Sequence, residues 1–195
     1  MVFTKVSQDA FDELQMNAGV LLSTFDPANP AEPADADIIA TTSGGVTANC
    51  TPTYSDFGED VDNVPNNMME FKHLDGWECT LAFTSIKFNA NNIALALGAQ
   101  DTASNKIVPR RDLKDTDFQD LWWVGDKSDG GAVAIKLLNA LSTGGFSMQT
   151  TKNGKGTMSM TLTGHVSIDA QDTMPMEFYV LDGPIGATGA TGATS

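Results

Sequence analysis

The sequence has few of the side chains that enzymes and metalloproteins rely on. Its 195 residues include only two cysteines and two histidines. Two cysteines are too few for a disulfide framework, so we expect Cys50 and Cys79 to be buried, reduced thiols. His73 and His165 belong to no metal-ligand spacing, and the glycines form no phosphate loop. The sequence therefore predicts no catalytic residue, no metal site and no cofactor.

Basic residues and long apolar runs are scarce as well. Eleven lysines and arginines face 25 aspartates and glutamates, which gives a net charge of −14. A nucleic-acid surface needs clustered cations, so tight nucleic-acid binding is not expected. No stretch approaches the ~18 apolar residues of a membrane span, and the first residues do not resemble a secretory signal. We therefore expect no membrane partner and synthesis in a cytoplasm.

What the sequence does contain is enough for one folded domain. Hydrophobic residues make up 41% of the 195 residues, and apolar and polar residues alternate in many short segments. Capping patterns predict short helices after Ser7 and after Asn89, the second ended by Gly98. Three prolines make residues 26–37 an exposed connection. Strands are predicted at 20–25, 38–42, 46–54, from 77 with a bulge near Ser85, and at 121–125, 132–137, 146–151, 157–168 and 176–181.

The clearest strand is the one predicted over residues 157–168. Its apolar residues alternate with a hydroxyl-rich face over twelve positions. We expect it to form a hairpin with residues 146–151 through a three-residue loop at Asn153–Lys155. That loop places Met148 opposite Met160, so that apolar side chains share one face.

Two segments do not fit a compact sheet. Residues 55–70 carry four acids before Val64 and, at 16 residues, exceed the ~12–15 beyond which irregular loops are usually functional or disordered. Residues 183–194 repeat glycine at every third position, which is the collagen period. Four triplets are too few for an independent triple helix, so we predict a domain at 1–182 and a disordered, collagen-like tail at 183–195.

Long stretches of the chain resemble the major tail tube proteins of long-tailed bacteriophages, over residues 1–182. The stretches are TPTYSDFGEDVDNVPNNMMEFKHLDGWEC (51–79), KIVPRRDL (106–113), DLWWVGDKSDGG (120–131), NALSTGGFSMQTTKNGKG (139–156) and LTGHVSIDAQDTMPMEFYV (162–180). The resemblance rests on this extended similarity and on the order of the elements. It is compatible with a flexible tail tube, the inner tube of a contractile tail or a tail-derived bacteriocin.

The resemblance implies a mostly β fold, a two-sheet antiparallel β-sandwich or barrel with one or two flanking short helices. It implies a structural protein of the virion, not an enzyme, that is assembled in the cytoplasm of a bacterial host. Copies are expected to form hexameric rings that stack into a tube for genome delivery. The implied partners are other copies, the tape measure protein and the tail terminator and tip proteins, with DNA only in transit.

Two sets of residues are predicted to serve this function. The long acidic loop is expected to stack one ring on the next, through Asp56, Glu59, Asp60, Asp62, Asn66, Asn67, Met68 and Met69, because neighbouring methionines adapt well to a protein surface. The hydroxyl-rich strand is expected to line a negatively charged lumen, through Thr157, Ser159, Thr161, Thr163, His165 and Ser167.

An alternative function comes from a different class. Trp122 and Trp123 are adjacent, and neighbouring residues of a strand point to opposite faces. If the outer ring is exposed, it could stack on a sugar, with the Gly-X-Y segment as a stalk. The alternative hypothesis is therefore a carbohydrate-binding or adhesin module.

Overall fold

The computed structural model describes Ser7 and residues 10–185. These residues form eleven β-strands, paired in antiparallel fashion, and one α-helix, α1 (Ala90–Leu97). The mostly antiparallel β fold predicted from the sequence is confirmed. The strands are β1 (Gln15–Leu22), β2 (Ile38–Ala40), β3 (Thr42–Asp56), β4 (Lys72–Ser85), β5 (Gln100–Ala103), β6 (Lys106–Pro109), β7 (Gln119–Lys127), β8 (Ala132–Ser142), β9 (Ser147–Gln149), β10 (Thr157–Thr163) and β11 (Met176–Leu181).

Strand β8 joins two sheets. Nine strands pair in the order β2-β1-β7-β8-β10-β4-β3, with β11 added to β8 and β9 added to β10. We call β2, β1, β7, β8 and β11 sheet I, and we call β3, β4, β10 and β9 sheet II. Strand β8 bends at Asn139, whose φ is 46° and whose side-chain amide donates to the His165 carbonyl at 3.0 Å. Beyond this bend Leu141 and Ser142 pair with β10, so the chain passes from one sheet to the other.

The core lies between the two sheets. Sheet I contributes Leu21, Leu121 and Leu137, and sheet II contributes Leu81 and Leu162, each at most 1% exposed. Helix α1 adds Leu95 and Ala96 to the same cluster. Alternate residues of each strand therefore face a shared interior, which is the arrangement of a β-sandwich. Strands β5 and β6 form a separate hairpin.

Helix α1 begins and ends where the sequence predicts. The Asn89 side-chain oxygen accepts a hydrogen bond from the Asn92 N–H at 2.7 Å, and Gly98 follows the helix with a φ of 70°. Replacing Asn89 with alanine removes this cap and should lower the free energy of unfolding by about 1 kcal/mol. Denaturant unfolding measures the change. Asn91→Ala, an exposed position on the same helix, should stay within about 0.5 kcal/mol of the wild type; equal losses in the two variants would contradict the capping role.

The long C-terminal strand is shorter than the sequence pattern predicts. Strand β10 ends at Thr163, and Val166 and Ile168 are exposed instead of continuing the apolar face. The cause is a close approach at Gly164, where a Cβ atom would lie 2.7 Å from the Pro175 carbonyl oxygen. The backbone there turns to meet β8, since the His165 N–H donates to the Leu138 carbonyl at 3.1 Å.

The predicted register of the β9–β10 hairpin is wrong. Met148 pairs with Met158, not with Met160, and seven residues at 150–156 connect the strands instead of three. Met148 still lies opposite a methionine, because a shift of two residues keeps every side chain on the same face. Met148 is more than half exposed, so core packing does not fix the register of this pair.

Other local predictions near the ends of the strands also need correction. Residues 10–13 form a turn and β1 starts at Gln15. Among the described residues, which do not include 8 and 9, the helix expected after Ser7 is therefore not seen. The bulge expected near Ser85 lies on the partner strand. Gly44 and Gly45 of β3 take positive φ values between the pairs that Thr42 and Val46 form with β4.

The two cysteines are not reduced thiols. Cys50 and Cys79 lie directly opposite each other on β3 and β4, and the structure joins them in a disulfide. Cys79 is fully buried, as the sequence predicts, and Cys50 is half-buried. The expectation of free thiols is wrong because it treated the two strands as independent, whereas the register of the hairpin makes these residues neighbours.

Candidate functional site

Beyond the disulfide, β3 and β4 continue as a two-stranded arm. We define the arm as residues 50–79, which comprise the ends of both strands and the connection 57–71. Within it only Gly58 and Cys79 are buried. The arm therefore adds no side chain to the core past its base. An isolated two-stranded hairpin is marginally stable in water, so a long arm of this kind is typical of a surface that packs on a partner.

The tip of the arm is held by hydrogen bonds at its base. Asp56 accepts from the Gly58 N–H at 3.0 Å and pairs with the Lys72 ammonium group at 3.2 Å. These contacts stabilise the carboxylate, so the pKa of Asp56 lies below its ordinary value, chiefly through the Gly58 N–H. The Phe57 N–H donates to the Phe71 carbonyl at 3.0 Å and closes the connection. The tip thus starts from a defined pair of strands.

The predicted stacking residues all lie at this tip. Asp56 is the last residue of β3, and Met69 begins a single 3₁₀ turn that leads into β4. Glu59, Asp60, Asp62, Asn66 and Asn67 are exposed, while Met68 is half-buried and Met69 is 80% exposed. Phe57 and Val61, which the sequence analysis did not single out, are also exposed there. The tip combines carboxylates with uncovered apolar side chains.

The second candidate surface is the outer face of sheet II, which we call the hydroxyl face. Pairing places Ser159 beside Thr84, Thr161 beside Ala82 and Thr163 beside Thr80. Strand β3 continues the same face on the other side of β4. Its members include Thr47, Asn49, Thr51, Glu78, Thr80, Ala82, Thr84, Ser147, Gln149, Thr157, Ser159, Thr161 and Thr163. Short uncharged hydroxyl and amide side chains dominate it, and Glu78 is the one carboxylate among these residues.

Four of the six residues predicted for the lumen-facing strand share this face. Thr157, Ser159, Thr161 and Thr163 alternate with buried Met158, Met160 and Leu162. His165 and Ser167 lie beyond the strand. The His165 ring packs against Phe118 with 5.3 Å between ring centroids, and Ser167 caps a 3₁₀ turn through the Asp169 N–H.

Sequence reasoning missed the part of the hydroxyl face that β3 and β4 provide. A signal was present, because Thr47, Asn49 and Thr51 alternate with Val46, Ala48 and Cys50. The sequence does not reveal that β4 lies between β3 and β10 and pairs with both. This order of strands makes one continuous surface of the three.

The tryptophan pair does not form a platform for sugar binding. Trp122 is only 7% exposed, beneath Phe25 and Tyr179, whose ring centroids lie 5.5 and 5.4 Å from its own. Trp123 packs against the core, and its indole N–H donates to the Ala18 carbonyl at 3.0 Å. Trp122 is thus buried and Trp123 is partly covered, so this arrangement does not favour the adhesin hypothesis.

The remaining polar clusters have structural roles. Arg110 bridges Asp101 and Asp117, and the hydrogen bond from its guanidinium group holds the pKa of Asp117 below its ordinary value. Lys127, which is buried, pairs with Asp129 at 3.1 Å and with Asp182 at 2.6 Å. Across residues 10–185, acidic, histidine and cysteine side chains form no group of three that could hold a metal ion. In the same part of the chain no helix is both long and apolar enough to cross a membrane.

The collagen-like tail lies almost entirely outside the described residues, which end at Ile185. The Ile185 N–H donates to the Gly130 carbonyl at 2.9 Å, and Gly130 lies in the turn between β7 and β8. The boundary at residue 182 and the expected disorder of the tail stay predictions.

The chain is thus a two-sheet antiparallel β protein with a projecting arm and one hydroxyl-rich face whose charged member is Glu78. No family model and no curated protein matches the sequence. Two solved structures are similar to it, each at a TM-score of 0.41 and 9% sequence identity. One is the tail of an empty gene transfer agent particle, computed with C6 symmetry, and the match covers 83% of this chain and 96% of that chain. The other is the virion of a native gene transfer agent particle, and the match covers 89% of this chain and 99% of that chain.

Both structures come from tail or virion particles, the class of assembly that the sequence resemblance names.

Proposed function

We propose that this protein is a structural component of a virion that polymerises as stacked hexameric rings into a tail tube, through which the genome is delivered. The observation that carries the proposal is the hydroxyl face, because a sheet with one buried face and one polar face without cations suits the wall of a channel. The sequence resemblance to tail tube proteins gives the same assignment independently.

In the proposed ring, sheet II faces inward. Strand β3 is an edge strand of 15 residues, and β4 is its partner in the described part of the chain. A long free edge offers unpaired N–H and C=O groups to another strand. Pairing of such edges between neighbouring copies would join the sheets into one barrel and place the hydroxyl face around the lumen.

The lumen would be polar and negative. Serine and threonine hydroxyls make weak, exchangeable hydrogen bonds to passing phosphates, whereas lysine or arginine would hold them. Each copy contributes Glu78 to the hydroxyl face, so the ring repeats this carboxylate around the channel. DNA would therefore be repelled from the wall while in transit, without tight binding.

The arm would connect successive rings through its tip. In this assembly the other partners are the tape measure protein inside the tube and the terminator and tip proteins at its ends. The protein would be assembled in the cytoplasm of the bacterial host and function in the virion.

Assembly of the purified protein tests the proposal. Sedimentation across a micromolar to millimolar series should reveal hexamers, and electron micrographs of the concentrated protein should contain six-fold rings and tubes. A monomer at every concentration, with micrographs free of rings, would contradict the proposal. Binding of that monomer to a glycan array would instead support the adhesin hypothesis.

A further inference from the structure

The two sheets of the sandwich do not cover each other completely. Sheet II extends past sheet I at the arm, where the inner faces of β3 and β4 have no opposing sheet. Alternation continues the core-facing side of these strands from Val46 and Phe83 through the disulfide to Pro52 and Trp77. The register then shifts by one residue at a bulge, beyond which Tyr54 pairs with Leu74. Trp77 is 37% exposed, Leu74 43% and Tyr54 58%. We call this surface the arm overhang.

Sheet I extends past sheet II at β11. Met176, Phe178 and Val180 pair with Leu137, Ile135 and Val133, so all of them point to the core side of sheet I. Met176 is buried, but Phe178 is 59% exposed and Val180 is 64% exposed. No strand of sheet II lies over them in the described structure. We call this surface the β11 overhang.

The two overhangs are complementary. Each is the core-facing side of a sheet that lacks its opposite layer, and the missing layer is sheet I in one case and sheet II in the other. We propose that the arm overhang of one copy packs on the β11 overhang of the next copy and completes the sandwich between subunits. This inference rests on the proposed function, and it adds to the edge pairing of β3 a second contact between neighbours within a ring.

The occupant is a second copy because one contact then covers both surfaces. The five exposed side chains present on the order of 500 Å² of apolar area, divided between the two overhangs, and exposed apolar patches of a few hundred Å² are often functional. The rest of a standard interface of ~1,600 Å² would come from the polar rim around the two overhangs. Any unrelated partner that fitted the arm would leave Phe178 and Val180 exposed to water.

The contact also has the geometry that a ring needs. It is head-to-tail, since it joins two different surfaces of the same chain. Each added copy then leaves one arm overhang and one β11 overhang free, and growth ends only when the ring closes. A contact between two arms would instead stop at a dimer.

Two blocked variants test this pairing. The arm-blocked variant carries Tyr54→Ser and Trp77→Ser, and the β11-blocked variant carries Phe178→Asp and Val180→Asp. Loss of a central aromatic side chain commonly weakens a protein contact by about 30-fold or more. Each variant alone should therefore be monomeric at concentrations ~30-fold above those at which the wild type forms rings. Sedimentation and light scattering measure the mass.

The mixture of the two variants gives the decisive result. The β11-blocked variant keeps its arm and the arm-blocked variant keeps its β11 overhang, so an equimolar mixture should form a one-to-one dimer and nothing larger. Self-dimerisation of the β11-blocked variant would indicate a contact between arms and overturn the inference. Rings of normal size from either variant alone would also overturn it, while leaving the proposed function intact.

Controls separate these outcomes from misfolding and from failure of assembly itself. Leu113→Asp changes an exposed leucine outside both overhangs and should assemble as the wild type does. Thermal unfolding of each variant checks its fold, and Phe178→Ser with Val180→Ser replaces the aspartate pair if that pair unfolds the chain. Wild-type protein that stays monomeric at every concentration would refute the proposed function and this contact together.

Discussion

Rings without tubes are the expected product when the tip of the arm is removed. In this variant residues 59–67 are replaced by Asn-Gly, which keeps the pairing of Asp56 with Lys72 and the hydrogen bond between Phe57 and Phe71. Five of the eight residues predicted for stacking are lost together with Val61, so most of the surface proposed to contact the next ring is removed. Because the tip buries no side chain, the fold and the contacts within a ring should remain. Electron microscopy counts rings and measures tube length.

A variant with a loop of unchanged length separates the effect of the loop's shape on tube formation from the effect of its charge. Glu59→Gln, Asp60→Asn and Asp62→Asn keep every atom that packs but remove three carboxylates. Since exposed charges contribute little to a contact, this variant should still form tubes, with an altered dependence on salt concentration. Tubes of wild-type length in the shortened variant would refute the stacking role of the tip. Loss of tubes in both variants would assign stacking to the carboxylates instead.

Much of the fold could be predicted because local chemistry determines it. The Asn89 cap and Gly98 set the ends of α1. The three prolines between residues 26 and 37 cannot donate the backbone hydrogen bonds of a strand, and the structure has no strand there. Strand β11 was predicted with its observed bounds, Met176–Leu181. In each case the signal lies within about ten residues, so no distant contact was needed to interpret it.

The predictions were wrong where contacts between residues far apart in the sequence determine the end of a strand or the pairing of two strands. Strand β10 stops at Thr163 because Gly164 packs against Pro175, and nothing in the alternation of residues 157–168 reveals that contact. Pairing of Cys50 with Cys79 depends on the register of a hairpin whose connection is long and irregular. A sequence displays which residues alternate, but it does not display which strands become neighbours.

The candidate site follows the same division. The loop residues from Asp56 to Met69 were singled out from the length of the loop, its acids and its neighbouring methionines, and they do lie at one tip. The hydroxyl face was found only along β10, because its other half comes from β3 and β4. The apolar overhangs at Trp77 and Phe178 were not recognised, since alternating apolar residues usually indicate a covered face. These residues are uncovered because each sheet extends past the other at one end, and the relative extent of the two sheets is not visible in the sequence.

Lysines on the hydroxyl face should obstruct the passage of DNA without preventing assembly. Ser159→Lys with Thr161→Lys adds two ammonium groups per subunit to the outer side of β10, where Ser159 is exposed and Thr161 half-exposed. If this face lines the lumen, every ring would then present cations to the phosphates, and each contact must break before the DNA advances. Genome delivery should slow by about tenfold or more, which corresponds to ~1.4 kcal/mol of added barrier.

The matched control is Ser159→Asn with Thr161→Asn, which adds bulk without charge and should deliver DNA at nearly the wild-type rate. Single Ser159→Lys serves if the double variant assembles poorly, because the Thr161 carbonyl accepts a hydrogen bond from the Gly144 N–H at 3.3 Å and the strand is crowded there. Release of DNA from purified virions, followed by a fluorescent dye, gives the rate. Higher salt should restore part of the rate of the lysine variant, since added ions screen the new contacts. Lysine virions that release DNA as fast as the wild type would place the hydroxyl face on the outside of the tube, where added cations meet no phosphate.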